Sequence, residues 1–428
     1  MTSGAPRRED RWGRMTPEEA ERYVLDRELF GMRFGLDRMR RLMTTMDNPQ
    51  MRFRSIHVVG TNGKSSTVRM TAAILRRHGL RTGSYLSPHL VSFAERIRVE
   101  DADIEPSAFA AAIQRAAHAA ELVDRSLAED DRVTQFELLT AAAYSELARQ
   151  QVEVAVIEAG LGGRYDATNV IPSRVQVLTS VGLEHTRWLG PTIEAIATEK
   201  LDVVRPGGTL VLGHGLHPDA EAVAELVGRE RGVRIVRAGV DPGVPLSALG
   251  AYQRRNFALA RAAAEAYLGE LDAGAVATAA AETLVPGRLQ VIDDEPVTLL
   301  DGAHNPEGMA ALAEALDDPF AAGRRPVIGV ISILDDKDAA GMLSTLLPRC
   351  DGLVLTASQN PRALPPPTLQ SLAGQLGGPP CQVIRDPRAA LERARELAGP
   401  DGLVVATGSI YLVADLLRPA GAGRASML

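Results

Sequence analysis

The sequence predicts an α/β fold divided into two domains built on parallel sheets. Short β-branched runs alternate with alanine-rich amphipathic segments, the texture of strand–helix–strand units. At 428 residues the chain exceeds one compact core, and length alone suggests about two or three domains. Near Val285 the pattern breaks: Pro286-Gly287-Arg288 interrupts a helical stretch and a second set of strands begins.

Residues 55–59 read as a buried strand and 65–78 as the helix after it. Residues 152–158 form another strand, with acidic and glycine residues at its carboxyl end. Residues 174–179 and 209–212 repeat the strand signal, while 192–204 and 255–267 read as helices. Beyond the break, 297–300 opens a strand–turn–helix unit ending in Asp301-Gly302, and 327–331, 352–356 and 403–406 continue a smaller sheet. The expected domains are therefore 1–285 and 286–428.

Composition narrows the function classes. Hydrophobic residues make up 45% and charged residues 24%, the usual proportions of a soluble globular chain. A net charge of -7 supplies no global positive field for nucleic acid or an anionic membrane, so neither is expected as a partner. Cys350 and Cys381 form no C-x-x-C or His/Cys cluster, which points away from a disulfide framework or structural zinc. Residues 1–14 are charged and lack a signal-peptide core, and apolar runs such as 152–157 are of strand length. A cytoplasmic location is expected.

Gly60-Thr61-Asn62-Gly63-Lys64-Ser65-Ser66 lies between the first strand and its helix. A helix amino terminus offers unpaired N–H groups and partial positive charge, the glycines let the backbone curl around phosphate, and Lys64 can neutralise β/γ oxygens. Val58 stands where the general P-loop has its first glycine, leaving the shorter G-x-x-G-K-S form. Phosphoryl transfer also needs Mg²⁺, which prefers oxygen ligands. Ser87-Pro88-His89, Glu158 with Gly160 to Gly163, and Glu184-His185 supply candidates. Taken singly each has a plainer reading: Glu158 could cap a turn, His185 could be a satisfied buried histidine, Ser87 could start a Pro-led turn. Open α/β sheets place ligands beyond the carboxyl ends of their strands, and that rule gathers all three segments around Lys64. Lys200 alone reads as a solvated helix residue.

The segments FGLDRM (34–39), HVVGTNGKSS (57–66), SPHLVSFAERI (87–97), TQFE (134–137), EAGLGGRYDATN (158–169), LEHTRWLGPTIEAIATEK (183–200), YQRRN (252–256), PGR (286–288), DGAHNP (301–306) and DDKD (335–338) follow in this order. Together they resemble the Mur-ligase superfamily and, within it, the folylpolyglutamate synthase/dihydrofolate synthase family, over about residues 34–416. The resemblance implies a P-loop Mur-ligase-type central domain followed by a smaller Rossmann-like C-terminal α/β domain, for ATP binding and glutamate ligation respectively. It implies that Gly60, Thr61, Asn62, Gly63, Lys64, Ser65 and Ser66 hold the ATP phosphates, that Asn256 and Arg288 contact the nucleotide, and that Asp301 meets the ribose with His304 nearby. It further implies Ser87, Glu158 and His185 as magnesium ligands, with Lys200 as a carbamate completing a second metal site. Lys64, Lys200, His185 and His304 would carry catalysis. Met32, Arg33, Phe34, Thr134, Gln135, Phe136, Glu137, Tyr165, Asp166 and Ala167 would line the pterin pocket.

Three departures stand out. Ser65 replaces the usual Gly, Glu184 replaces the Asp before His185, and Tyr165 sits where many relatives have Leu. The implied reaction is ATP-dependent addition of L-glutamate to dihydropteroate, to reduced folates, or to both, through an acyl phosphate, by a monomer. Polyglutamation alone, a cell-wall Mur-type ligase, and a non-enzymatic nucleotide-binding regulator are the alternatives.

Overall fold

A computed structural model describes residues 14–27 and 35–419. Eight strands form the first sheet: β1 (Arg54–Val59), β2 (Thr82–Tyr85), β3 (Ile97–Val99), β4 (Ala102–Asp103), β5 (Val154–Glu158), β6 (Val175–Leu178), β7 (Thr209–Leu212) and β8 (Arg234–Arg237). Their order is β4-β3-β2-β5-β1-β6-β7-β8, parallel from β2 to β8 with β3 and β4 antiparallel at one edge. The strands alternate faces with period two: Val154 and Val156 enter one core, Ala155 and Ile157 the other. Helix Lys64–Arg77 covers the first of these faces and packs with helices Ala251–Leu268 and Ala273–Glu282 around Val68, Leu75, Phe257 and Val276. The second face is closed by helices Pro106–Asp124 and Gln135–Arg149.

Six strands form the second sheet: β9 (Gln290–Asp294), β10 (Val297–Leu300), β11 (Val327–Ile331), β12 (Gly352–Leu355), β13 (Cys381–Val383) and β14 (Leu403–Thr407). Their order is β13-β12-β11-β14-β10-β9, parallel except for β9 against β10. Val285 still belongs to the core of the first sheet, and Leu289 already belongs to that of the second. The molecule is a two-sheet α/β protein. Among the described residues no helix is long and apolar enough to cross a membrane.

This layout positions the site. β1 lies centrally, with β5 on one side and β6 on the other, so the loops leaving β1, β5 and β6 converge at a topological switch point. The helix read at 255–267 begins at Ala251, which brings the YQRRN segment and Asn256 onto a rigid element.

Candidate active site

The loop after β1 is shaped by two glycines. Gly60 adopts φ +153°, and a β-carbon there would collide with Thr179 Oγ1, whose hydroxyl donates to Asn62 O at 2.6 Å. Gly63, at φ +83°, caps helix Lys64–Arg77, and its missing β-carbon leaves room for Asn256 Oδ1. The backbone is hung on the segment after β6: Thr61 N donates to Ser180 O at 2.9 Å and Asn62 N to Ser180 Oγ at 2.9 Å. Lys64 Nζ folds back to Gly60 O at 3.1 Å and Thr61 O at 3.0 Å. The loop thus presents a helix amino terminus and a cation at one point.

Glu158, the last residue of β5, is 1% exposed. Its Oε1 accepts from Ser65 Oγ at 2.8 Å and its Oε2 from Ser87 N at 3.2 Å, so the loops after β1, β2 and β5 meet on one carboxyl group. Burial pushes this carboxyl up, against the opposing pull of Lys64. Lys200 is also buried, not solvated, and its Nζ donates to Gly60 O at 2.9 Å, the carbonyl that Lys64 also uses. Burial and the neighbouring Lys64 push the Lys200 amine down to about 7. Gly163 packs against this helix so closely that a β-carbon would lie 2.5 Å from Lys200 O. His185 adopts φ 53° and opens toward the cleft. The withdrawal of water around its ring, with Lys337, Lys64 and Lys200 nearby, lowers it to about 4 and keeps the imidazole neutral. Among the described residues no three His, Cys, Asp or Glu side chains form a metal-holding group. The nearest oxygen pair is the Ser65 hydroxyl with the Glu158 carboxylate, a donor set suited to magnesium.

The opposite wall comes from the second sheet. Asp301 follows β10 and its carboxylate is fully engaged: Oδ2 accepts from the Tyr252 hydroxyl at 2.7 Å and Leu289 N at 3.0 Å, Oδ1 from Ala303 N at 2.8 Å. Arg288 packs beside Gly302 and lines the cleft. His304 Nδ1 donates to Gly302 O at 2.8 Å, leaving Nε2 3.2 Å from Glu184 Oε1. Lys337 Nζ reaches the same oxygen at 2.9 Å. Burial raises Glu184, but His304, Lys337 and His185 outweigh it and hold the carboxyl well below the usual carboxylate range. Its extra methylene, relative to Asp, serves this bridge between the two sheets. A second bridge pairs Asn62 and Asn305, each amide donating to the other at 3.2 and 3.1 Å.

The side pocket is mixed. Phe136 lies against Tyr85 with ring centroids 6.1 Å apart and against Gly160, and Thr134, Glu137, Tyr165, Asp166 and Ala167 share the cleft wall with it. Gln135 is fully buried, its amide donating to Val24 O at 2.8 Å, and does not line the cleft. Asp166 accepts from Leu161 N at 2.8 Å and from the Thr168 hydroxyl, which closes the glycine turn of 160–163. Glu137 completes a capping box with Thr134 and faces Arg38 at 3.2 Å. Met32, Arg33 and Phe34 lie outside the described residues. The cleft between the sheets has a volume of about 660 Å³.

Sequence reasoning assigned no role to Lys337, Asn305 or Arg38, although each lies inside a quoted motif. Their partners stand 153, 243 and 99 residues away, and no local pattern reports such pairings.

Residues 287–410 match the family model described as Mur ligase, glutamate ligase domain. The chain is 35% identical to a dihydrofolate synthase/folylpolyglutamate synthase of Mycobacterium tuberculosis, over 81% of this chain and 78% of that one. Crystal structures of Mycobacterium tuberculosis folylpolyglutamate synthase complexed with ADP and AMPPCP superpose with a TM-score of 0.86 at 32% identity, covering 93% of this chain and 97% of that chain. Escherichia coli FolC in complex with DHPP and ADP superposes at 0.83 and 29%, covering 94% and 97%. The chain belongs to the dihydrofolate synthase/folylpolyglutamate synthase family, the ADP-forming acid–amino-acid ligases that share the Mur-ligase fold.

Proposed function

We propose that this enzyme joins L-glutamate to the carboxylate of dihydropteroate and of reduced folates, using ATP and passing through an acyl phosphate. One observation carries the assignment of roles: the phosphate loop with Lys64, the buried Glu158 and the Arg288–His304 segment face one another across a single cleft. ADP in the structures of two relatives supports a nucleotide as ligand, and the DHPP complex supports a folate-type substrate.

In this reading Lys64 leaves its two backbone carbonyls and turns to the β/γ-phosphate oxygens, joined by the N–H groups of Gly63 to Ser66. Asn256 and Arg288 hold the nucleotide. Asp301 orients residues 301–303 through its backbone bonds, and by doing so the ribose site. Magnesium would offset the phosphate charge at two sites, drawing on Ser65, Ser66, Ser87, Glu158 and His185. The neutral amine of Lys200, available near pH 7, would add CO2 with release of one proton and become a carbamate ligand. The substrate carboxylate oxygen attacks the γ-phosphorus and ADP departs. The glutamate amine then attacks the acyl carbon, and phosphate departs with the oxygen that came from the carboxylate. Positioning of both substrates supplies much of the acceleration. Thr134, Phe136, Glu137, Tyr165 and Ala167, with residues 32–34, would hold the pterin.

The division at 285/286 belongs to the same proposal, supported by the change of core between Val285 and Leu289. So does action as a cytoplasmic monomer, supported by the fact that one chain supplies both walls of the cleft. Phosphate release measured with dihydropteroate, glutamate and ATP, each omitted in turn, tests the function. Release that requires all three is expected. Release independent of glutamate would contradict the reading.

A further inference from the structure

Each round of glutamylation must return a new γ-carboxylate to the same place beside Lys64, because the phosphate site does not move. The pterin and all earlier glutamyl residues must therefore shift outward by one residue per round. Each earlier residue carries an α-carboxylate, so the route has to connect with the cleft, open to solvent and present cations.

One feature of the fold meets these conditions. A second groove, of about 810 Å³, adjoins the cleft and shares Gly35 and Tyr165 with it. Arg40, Arg164 and Arg205 line it beside Asp37 and Asp202; Arg164 also pairs with Glu199 at 2.9 Å, and Arg205 donates to Asn169 O at 2.9 Å and Oδ1 at 2.6 Å. Asp202 pairs with Arg231 at 2.7 Å and lies 3.7 Å from Arg164, and Asp37 is a surface carboxylate 86% exposed at 3.4 Å from Arg40. Burial lowers Arg205 from its usual value, with Asp202 opposing the shift and Arg231 and Arg40 adding to it. Tyr165 stands at the junction, 45% exposed, with the Arg164 guanidinium 6.0 Å from its ring centroid. An aromatic face with a cation beside it suits a chain that is apolar at the pterin and anionic along the tail.

We propose that this groove is the subsite for the poly-γ-glutamyl part of longer folate substrates, whose α-carboxylates pair with Arg40, Arg164 and Arg205. The proposal rests on the ligase reading above and adds to it the path taken by the growing chain.

Arg40 is the residue to change. It lies on helix Asp37–Thr45 with its side chain 65% exposed, so charge reversal there opens no core. The experiment compares mono- and triglutamate forms of one reduced folate with the wild type, Arg40→Glu and Arg40→Lys, reading KM, kcat and the length distribution of products. Arg40→Glu should raise KM for the triglutamate by about tenfold and that for the monoglutamate by less than about twofold, since reversal turns an attraction into a repulsion. Its products should be shorter, and Arg40→Lys should restore the long ones. Added salt should weaken use of the triglutamate more than that of the monoglutamate. Equal effects of Arg40→Glu on the two substrates overturn the proposal. Failure of the wild type on the monoglutamate would instead strike the ligase reading itself, so the two failures are distinguishable.

Discussion

The side-chain nitrogens of Lys64 and Lys200 meet on the Gly60 carbonyl, and burial together with that crowding lowers the Lys200 amine. Lys64 can leave for phosphate because its other partner, Thr61 O, is also a backbone carbonyl that needs no side chain. Lys64→Ala should therefore lower kcat by at least about a hundredfold while the unfolding temperature stays unchanged, since the lost term is electrostatic stabilisation of the transition state. Near-normal turnover at saturating ATP would remove Lys64 from the phosphate site. Lys200→Ala should be nearly inactive, and short carboxylates should restore part of the rate by supplying the oxygens of the proposed carbamate. An unmodified Lys200, seen by mass in a fully active and bicarbonate-replete sample, would contradict that role. The burial of Lys200 was legible in principle, because Ile196, Ala197 and Leu201 mark one face of helix Ile193–Leu201 and Lys200 lies on it at i+4 and i+3. Gln135 was not legible: its partner, the Val24 carbonyl, is 111 residues away, and a motif names a segment without telling which way each side chain turns.

At the scale of elements, the strands with continuous apolar runs could be read directly, because β1, β5, β11 and β14 are covered on both faces. The strands β3, β4 and β8 escape such reading, because each has only two to four residues, is partly exposed, and carries charged residues; β4 and β8 are the two edges of the sheet and β3 lies beside β4. Helix Pro306–Ala315 offers a test of how elements meet across the cleft. Asn305 caps it by accepting from Gly308 N at 2.8 Å and also pairs with Asn62. Asn305→Asp keeps the cap acceptor and should leave stability unchanged, while Asn305→Ala should cost about 1 kcal/mol. Both remove the amide donor to Asn62, so both should raise KM for ATP. If Asn305→Asp leaves that KM unchanged, the pair does not hold the phosphate loop.

For the whole molecule, the order of motifs was enough to indicate the fold family and the reaction, because the segments at 57–66, 87–97, 158–169 and 183–200 follow β1, β2, β5 and β6, which the sheet sets side by side. The bridges between the two sheets, through Glu184 with Lys337 and His304, are products of folding alone. Substrate range is also a property of the assembled cleft, whose wall includes the half-exposed Tyr165. We expect dihydropteroate and a reduced folate monoglutamate both to support glutamate-dependent ADP formation. If only the folate does, Tyr165→Leu should recover dihydropteroate use, and no recovery would shift the restriction toward residues 32–34. The central claim is that one carboxylate oxygen passes to phosphorus before the amide forms. It is tested most directly with dihydropteroate labelled with 18O in its carboxylate. The acyl-phosphate route predicts one labelled oxygen in the phosphate released for each amide formed, and amide formed with phosphate free of label, the lost oxygen appearing elsewhere, would contradict it.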